Sequence, residues 1–319
     1  MINKPALVII GFLLSTVVLA VFLFLYGDIG FTLTNDVVLW QLRFPKIVVA
    51  FFAGGLLASS GLLLQVFFQN PLAGPDLLGI NAGACLGVAI AIMGAGFLPI
   101  GMEMISLPMM AMMGASTVFL LLAFLVQKSF NRISLLILGL LIASFTSSFI
   151  SVLVNMTPSL KVKNFLLWSM GSFQGVPIED VPLFSILAIL GILFLAFLPK
   201  KLNQYTIGES YAKSMGVNVS SFKITLILVC SFLVATVTAF CGPVGFIGII
   251  APHIARTFIK KSDIRWVMPA VFLAGSSLAL FTEVILIFTS QYSLTTNSIL
   301  GLIGAPVIAI YLYKERRML

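Results

Sequence analysis

Residues 47–68 read IVVAFFAGGLLASSGLLLQVFF, a run without a single charged side chain. About 20 apolar residues, rising 1.5 Å each along a helix, cross the roughly 30 Å hydrocarbon core of a bilayer. The run does not alternate apolar with polar residues, as a strand of a membrane barrel would. It therefore predicts a membrane-spanning helix.

The rest of the chain has the same character. Only 9% of residues are charged, 60% are hydrophobic and the mean hydropathy is +1.17, whereas a soluble domain averages about 25% charged residues. We predict an all-α integral membrane protein in which residues 1–319 form a single transmembrane domain with no soluble domain. About ten spans are expected: Pro5–Tyr26, Ile47–Phe68, Gly79–Phe97, Ile105–Val126, Ile133–Met156, Val181–Phe197, Ile224–Cys241, Phe246–Phe258, Met268–Phe288 and Ser298–Tyr313.

Two apolar segments need separate interpretation. Pro5–Tyr26 is too long for a signal peptide and lacks a small-x-small cleavage site, so it is expected to be a retained first span. Phe165–Phe173 is too short to cross a bilayer. A re-entrant helix, packed in protein or lining a cavity, fits it.

The basic residues predict the orientation. With both termini in the cytoplasm, only four of the 18 lysines and arginines lie outside, namely Arg43, Lys46, Lys161 and Lys163. Cytoplasmic loops of membrane proteins carry an excess of these residues. The net charge of +8 thus reflects membrane topology, and no nucleic-acid partner is expected.

Motifs for enzyme or metal chemistry are missing from the sequence. The three cysteines lack paired spacing, and His253, the sole histidine, has no acidic or thiol cluster nearby in the sequence. A structural role for His253 is favoured. The chain has no glycine-lysine-serine nucleotide-binding loop, so any ATP chemistry must belong to a partner.

Four stretches are too polar or too punctuated for ordinary spans; one of them, Cys241–Gly248 followed by Ala251–Arg256, contains His253. Arg43-Phe44-Pro45-Lys46 could anchor to lipid phosphates or dock an acidic external partner. Gln69–Ile80 is expected to be a structural turn in which Asp76 caps the next helix. Glu283, the one carboxylate deep in a span, is either an interhelical contact or a proton or ion site.

The fourth stretch is the polar cytoplasmic segment Gly208–Asn218, with glycines at both ends of a short helical stretch. Ala212 and Met215 lie three residues apart and are expected on one face of that helix. Such a helix can lie on the membrane surface or insert in a groove of a partner. The residues alone leave both possibilities open.

Several motifs in order resemble the FecCD family, the membrane permeases of ABC importers for iron-siderophores, haem and vitamin B12. They are RFPK (43–46), GLLASSGLLLQVFFQNPLAGPDLLGINAGA (55–84), WSMGSFQGV (168–176), GESYAKSMGVN (208–218), GPVGFIGIIAPHIAR (242–256) and GAPV (304–307). The resemblance runs from about Arg43 to the C-terminus. The second and fifth motifs are long and specific.

The resemblance implies a permease of the bacterial cytoplasmic membrane that performs no covalent chemistry. It implies a second permease subunit, identical or homologous, two ABC ATPase subunits that hold ATP and Mg, and an external substrate-binding protein. No cofactor is expected on this chain. An iron-siderophore is the preferred cargo, haem the second and cobalamin the third; an ion-coupled secondary transporter using Glu283 is the alternative.

The resemblance also implies roles for individual residues. Arg43 and Lys46 match the basic pair that meets the binding protein, with lysine at a position that is commonly arginine, and Lys161 and Lys163 are candidates to contribute. The segment matching the ATPase coupling helix supplies Gly208, Glu209, Ser210, Ala212, Lys213, Met215, Gly216 and Asn218. Pathway or gate candidates are Asn131, Ser134, Trp168, Met170 and Gly171, although residues 131–134 differ from the family pattern.

Overall fold

A computed structural model describes residues 4–27, 30–31, 38–94, 106–127, 132–292 and 294–316. Within these ranges the fold is helical, with one short antiparallel pair formed by β1 (Tyr26–Gly27) and β2 (Gly30–Phe31). A π-helix covers Val38–Arg43, and 3-10 turns cover Pro75–Leu78 and Ser290–Tyr292. The α-helices are α1 (Lys4–Leu25), α2 (Phe44–Phe68), α3 (Ile80–Met93), α4 (Leu107–Gln127), α5 (Arg132–Met156), α6 (Ser159–Ser169), α7 (Val181–Ala196), α8 (Pro199–Ile207), α9 (Glu209–Ser214), α10 (Val219–Cys241), α11 (Ile247–Ile259), α12 (Ile264–Phe288) and α13 (Thr296–Arg316).

The all-α membrane class is confirmed. Among the described residues, six helices are long and apolar enough to cross a bilayer, or seven if α7 and α8, bent by 52° at their junction, form one span. The third, eighth and tenth predicted spans correspond to α3, α11 and α13, whose apolar stretches are shorter. The count of ten spans therefore stays a prediction.

Helix α2 lies at the centre and packs on α10, α11 and α12. Small residues allow its backbone to approach its neighbours, as helix association in lipid requires. Gly54 of α2 and Gly275 of α12 face each other so closely that a Cβ on either would collide with the other's carbonyl oxygen. Beside them the Ser276 hydroxyl donates a hydrogen bond of 2.7 Å to the Phe51 carbonyl.

Replacing Gly275 with alanine is expected to lower the free energy of unfolding by about 1–3 kcal/mol, because the added methyl must push α2 and α12 apart. Gly11→Ala is the matched control, since nothing lies within 4 Å of a Cβ at Gly11. Denaturant titration in detergent, followed by circular dichroism, measures both. Equal stability of the two variants would contradict the packing described.

The structure differs from the sequence-based predictions at three places. Asp76 does not cap α3, because Gly79 is the capping residue and the Asp76 carboxylate instead accepts a 2.6 Å hydrogen bond from Asn81. Helix α8 was not predicted from the sequence. The segment predicted to be re-entrant begins earlier, as α6, and buries only Phe165 of that helix.

Candidate functional site

Helix α5 exposes a continuous stripe along one side, because it packs mainly on α3. Ser144, Ser148, Ser151 and Asn155 are exposed and are spaced by four, three and four residues, which places them on one face. Ser148 and Asn155 donate to the carbonyls of Ser144 and Ser151 at 3.0 and 2.8 Å. These polar groups therefore need no buried partner and can face water.

The same face of α5 is apolar towards its N-terminus, where Ile133, Ile137 and Leu140 are exposed. A lipid-facing stripe would not carry four polar residues in succession, since polar residues within membranes usually face the bundle interior or a water-filled cavity. The polar half of α5, nearest α6, can therefore line a water-filled cavity. The apolar half can close that cavity at its other end. We name Ser144, Ser148, Ser151 and Asn155 the α5 polar stripe.

The α5 polar stripe was not predicted from the sequence, although polar residues at i, i+4, i+7 and i+11 within an apolar run indicate a polar face on a helix. Of the gate candidates, Ser134 lies in the first turn of α5 and is partly buried. Asn131 lies outside the described residues. Their gate role stays a prediction.

The other pathway candidates lie at the end of α6, where the chain turns against the segment joining α10 to α11. Asn297, in the first turn of α13, donates to the carbonyls of Met170 and Pro243 at 2.9 and 2.8 Å and accepts from the Gly245 amide at 3.0 Å. Gly171 is buried with φ of +69°, a conformation that favours glycine. Trp168 is partly buried and Met170 is exposed, so only Met170 offers its side chain freely.

The basic pair predicted to dock an external protein turns inward. Arg43 is only 6% exposed, and its Nη1 donates to the carbonyls of Phe24 and Leu25, at the end of α1, at 2.9 and 3.0 Å. Lys46 is paired with Glu283. Lys161 and Lys163 on α6 are exposed. Docking by these four residues stays a prediction, and Arg43 and Lys46 already have partners within the chain.

Glu283 forms a buried contact between three elements. Its Oε2 lies 3.0 Å from the Lys46 ammonium on α2 and accepts from Gln174 Nε2, in the segment after α6, at 2.8 Å. Its Oε1 is buried without a hydrogen-bond partner among the described residues. This geometry supports the interhelical-contact interpretation of Glu283.

The predicted coupling segment forms α9, bracketed by Gly208 (φ +137°) and Gly216 (φ +82°). The Glu209 carboxylate accepts from the Tyr205 hydroxyl at 3.1 Å and pairs with Lys223 at 2.8 Å, which anchors the helix. Asn218 caps α10 by accepting from the Ser221 amide at 3.1 Å. The short helix is therefore held in place by its own chain.

Ala212 and Met215, expected on one face of this helix, differ in burial. Met215, the residue after α9, is 48% exposed, whereas Ala212 is fully buried. The shared face stays a prediction. Ile207 and Tyr211, which were not predicted as coupling residues, are exposed like Met215, and so are Ser210 and Lys213. We name these five residues the α9 surface.

The sequence is similar to one protein family and to permeases of known name. The model of the FecCD transport family matches residues 6–314. The vitamin B12 import system permease protein of Klebsiella pneumoniae is 31% identical over 281 residues, covering 87% of this chain and 83% of that protein. Its counterpart in Escherichia coli O9:H4 is 29% identical over 294 residues, with 91% and 88% covered.

Solved structures agree on the fold. A structure described as an inward-facing conformation of an ABC transporter, assigned to the metal-chelate type, superposes with a TM-score of 0.86 at 26% identity, covering 98% of this chain and all of that one. PsaBC from Streptococcus pneumoniae, in complex with Fab, gives a TM-score of 0.54 at 15% identity over 84% of this chain and 90% of that one. At that identity the likeness concerns the fold alone.

Proposed function

The chain belongs to the FecCD transport family of ABC importer permeases, and we propose that it forms half of a membrane pathway for an iron(III)-siderophore complex. It is a multi-pass transporter subunit of a bacterial membrane rather than an enzyme, and it works with ATPase subunits and a second permease subunit. In the proposal, an external binding protein delivers the chelate, and both termini lie in the cytoplasm.

The observation that supports a pathway here is the α5 polar stripe, continued by apolar residues on the same face. Facing stripes from two permease subunits would enclose a cavity that is wet at the α6 end. The apolar residues Ile133, Ile137 and Leu140 would close it at the other end. Serine and asparagine side chains bind cargo weakly, which lets a large chelate leave again.

The α9 surface would bind the ATPase subunit and so couple ATP hydrolysis to transport. An exposed patch with an aromatic and two aliphatic side chains on a predominantly polar loop is suited to a hydrophobic groove of another subunit. ATP binding can drive the change only by favouring one conformation over the other, so the surface must hold the ATPase firmly through both states. The two contacts of Glu209 with its own chain provide that rigidity.

Cobalamin is the second candidate cargo, because the two relatives described above are vitamin B12 permeases. Uptake of a ⁵⁵Fe-labelled hydroxamate siderophore and of ⁵⁷Co-labelled cobalamin, in cells lacking their own permeases, separates the two. Uptake of iron alone supports the proposal. Uptake of cobalt alone would reassign the cargo while leaving the permease function intact.

The pathway itself can be tested by thiol labelling. Ser148→Cys, in a background with Cys85, Cys230 and Cys241 replaced by serine, is expected to react with a membrane-impermeant maleimide at least about tenfold faster than Ile186→Cys. Ile186 is exposed on α7, where a thiol surrounded by lipid stays protonated and unreactive. Equal rates for the two cysteines would mean that α5 faces lipid and that the pathway lies elsewhere.

A further inference from the structure

A cavity of about 670 Å³ opens on the side of the protein where α7 bends into α8. Its walls come from α2, α7, α8 and α12 and are mostly apolar, with Phe197, Met268 and Phe272 among them. The volume falls within the range of about 300–1,000 Å³ that is typical of small-molecule pockets. None of the wall residues belongs to α5 or α13, so the cavity is separate from the proposed pathway. Lys200 is the one wall residue that also lines the neighbouring cavity beside Met215 of the α9 surface.

Two cations lie at one end of this apolar cavity. Lys200 is in the first turn of α8 and Arg265 is in the first turn of α12, and both are exposed. Neither forms an ion pair with any residue in the described part of the chain. The 52° bend at α8 and the start of α12 mark this end as the membrane–water boundary.

Asp263, two residues before Arg265, has other hydrogen-bond partners. Asp263 caps α12 by accepting from the Arg265 amide at 3.0 Å and also accepts from the Asn203 side chain at 2.7 Å. These two bonds, with a smaller contribution from the charges of Arg265 and Lys261, hold the pKa of Asp263 below its usual range. Asp263 forms no direct ion pair with Lys200 or Arg265 in the described part of the chain, so both cations can still bind an anion.

A buried hydroxyl provides a second, independent observation. Ser59 lines the cavity, is fully buried, and its Oγ has no hydrogen-bond partner among the described residues. Leaving a buried hydroxyl without a partner is unfavourable, because it has lost its hydrogen bonds to water.

We propose that this cavity binds one anionic phospholipid. The phosphate would lie between Lys200 and Arg265, an acyl chain would fill the apolar walls, and an ester oxygen would accept the hydrogen bond that Ser59 lacks. A lipid meets all three requirements at once: a phosphate for the two cations, an ester oxygen for the Ser59 hydroxyl, and hydrocarbon for the apolar walls. A free phosphate ion meets only the first requirement.

Native mass spectrometry of the full chain, released from nanodiscs of equimolar phosphatidylglycerol and phosphatidylcholine, tests the proposal. Wild type is expected to retain one phosphatidylglycerol. Lys200→Gln/Arg265→Gln is expected to retain it roughly thirtyfold more weakly, because each basic residue near the surface contributes about 1 kcal/mol towards an anionic lipid. Lys260→Gln/Lys261→Gln removes the same charge from exposed residues outside the cavity and should bind like wild type.

A variant with a blocked cavity distinguishes specific lipid binding in the cavity from general attraction of anionic lipid to the two cations. Ala196 lines the cavity and is exposed, so Ala196→Trp can block it while both cations remain, and it should lose the lipid. Inorganic phosphate at millimolar concentration should not displace the lipid. Retention by Lys200→Gln/Arg265→Gln, equal retention of phosphatidylcholine by wild type, or displacement by phosphate would each overturn the proposal.

Discussion

Glu283→Gln is expected to lower the free energy of unfolding by about 3–5 kcal/mol, because it leaves the Lys46 ammonium without its ionic partner at a largely buried position. It also weakens the acceptor for Gln174, which joins the segment after α6 to α12. Denaturant titration of the purified chain in detergent measures the loss. This contact joins α2 and α12, the most closely packed helices of the fold.

Two controls make the Glu283 prediction specific. Lys46→Met/Glu283→Leu removes both charges and should be far less destabilising than the single variant, since apolar residues of similar volume can replace a buried ion pair. Glu209→Gln breaks the partly exposed pair with Lys223 and should cost less than about 1 kcal/mol. A double variant as unstable as Glu283→Gln would contradict the ion-pair account.

Met215→Asp should fold normally and yet lose its ATPase partner, with affinity at least about thirtyfold weaker. Exposed anchor side chains at the centre of an interface often contribute 2 kcal/mol or more, and a carboxylate in an apolar groove adds a desolvation cost. Co-purification of the ATPase from detergent extracts, with the melting temperature of each variant, provides the measurement. Retention of the ATPase by Met215→Asp would remove the coupling role from the α9 surface.

Matched variants separate folding from coupling. Tyr292→Asp, at a 67% exposed position beyond α12, should keep both the fold and the ATPase. Ala212→Asp should instead lower the melting temperature, because it buries a charge between α9 and its own chain. If Ala212→Asp folded as well as Met215→Asp, the orientation of α9 described above would be wrong.

The membrane class could be predicted from the sequence because apolar length depends on no tertiary contact. Helix α2 illustrates this: residues 47–68 give the span directly, and Gly54 indicates close packing before its neighbour is known. The short helices α3 and α11 were harder. Long-range contacts hold α3 and the segment before α11: the Thr238 hydroxyl of α10 donates to Asn81 of α3 at 2.6 Å, and the Gly245 amide donates to Asn297 at 3.0 Å.

The direction in which a polar side chain points could not be predicted in the same way. Arg43 and Lys46 look like surface cations in the sequence, yet the free carbonyls at the end of α1 and the Glu283 carboxylate bind them inside. The burial of Ala212 and the exposure of Met215 depend on how α9 packs against its own chain, which the sequence does not show. Asp76 was given a capping role that fails because Asn81 offers it a closer partner.

This permease is expected to draw its energy from ATP on a partner subunit. Chelate uptake into proteoliposomes that hold the chain with its ATPase and binding protein measures this dependence. We predict that uptake requires ATP hydrolysis, stops with a non-hydrolysable analogue and is unchanged by an uncoupler. Uptake driven by an ion gradient without ATP, and abolished by the uncoupler, would contradict the account and restore Glu283 as an ion-coupling site.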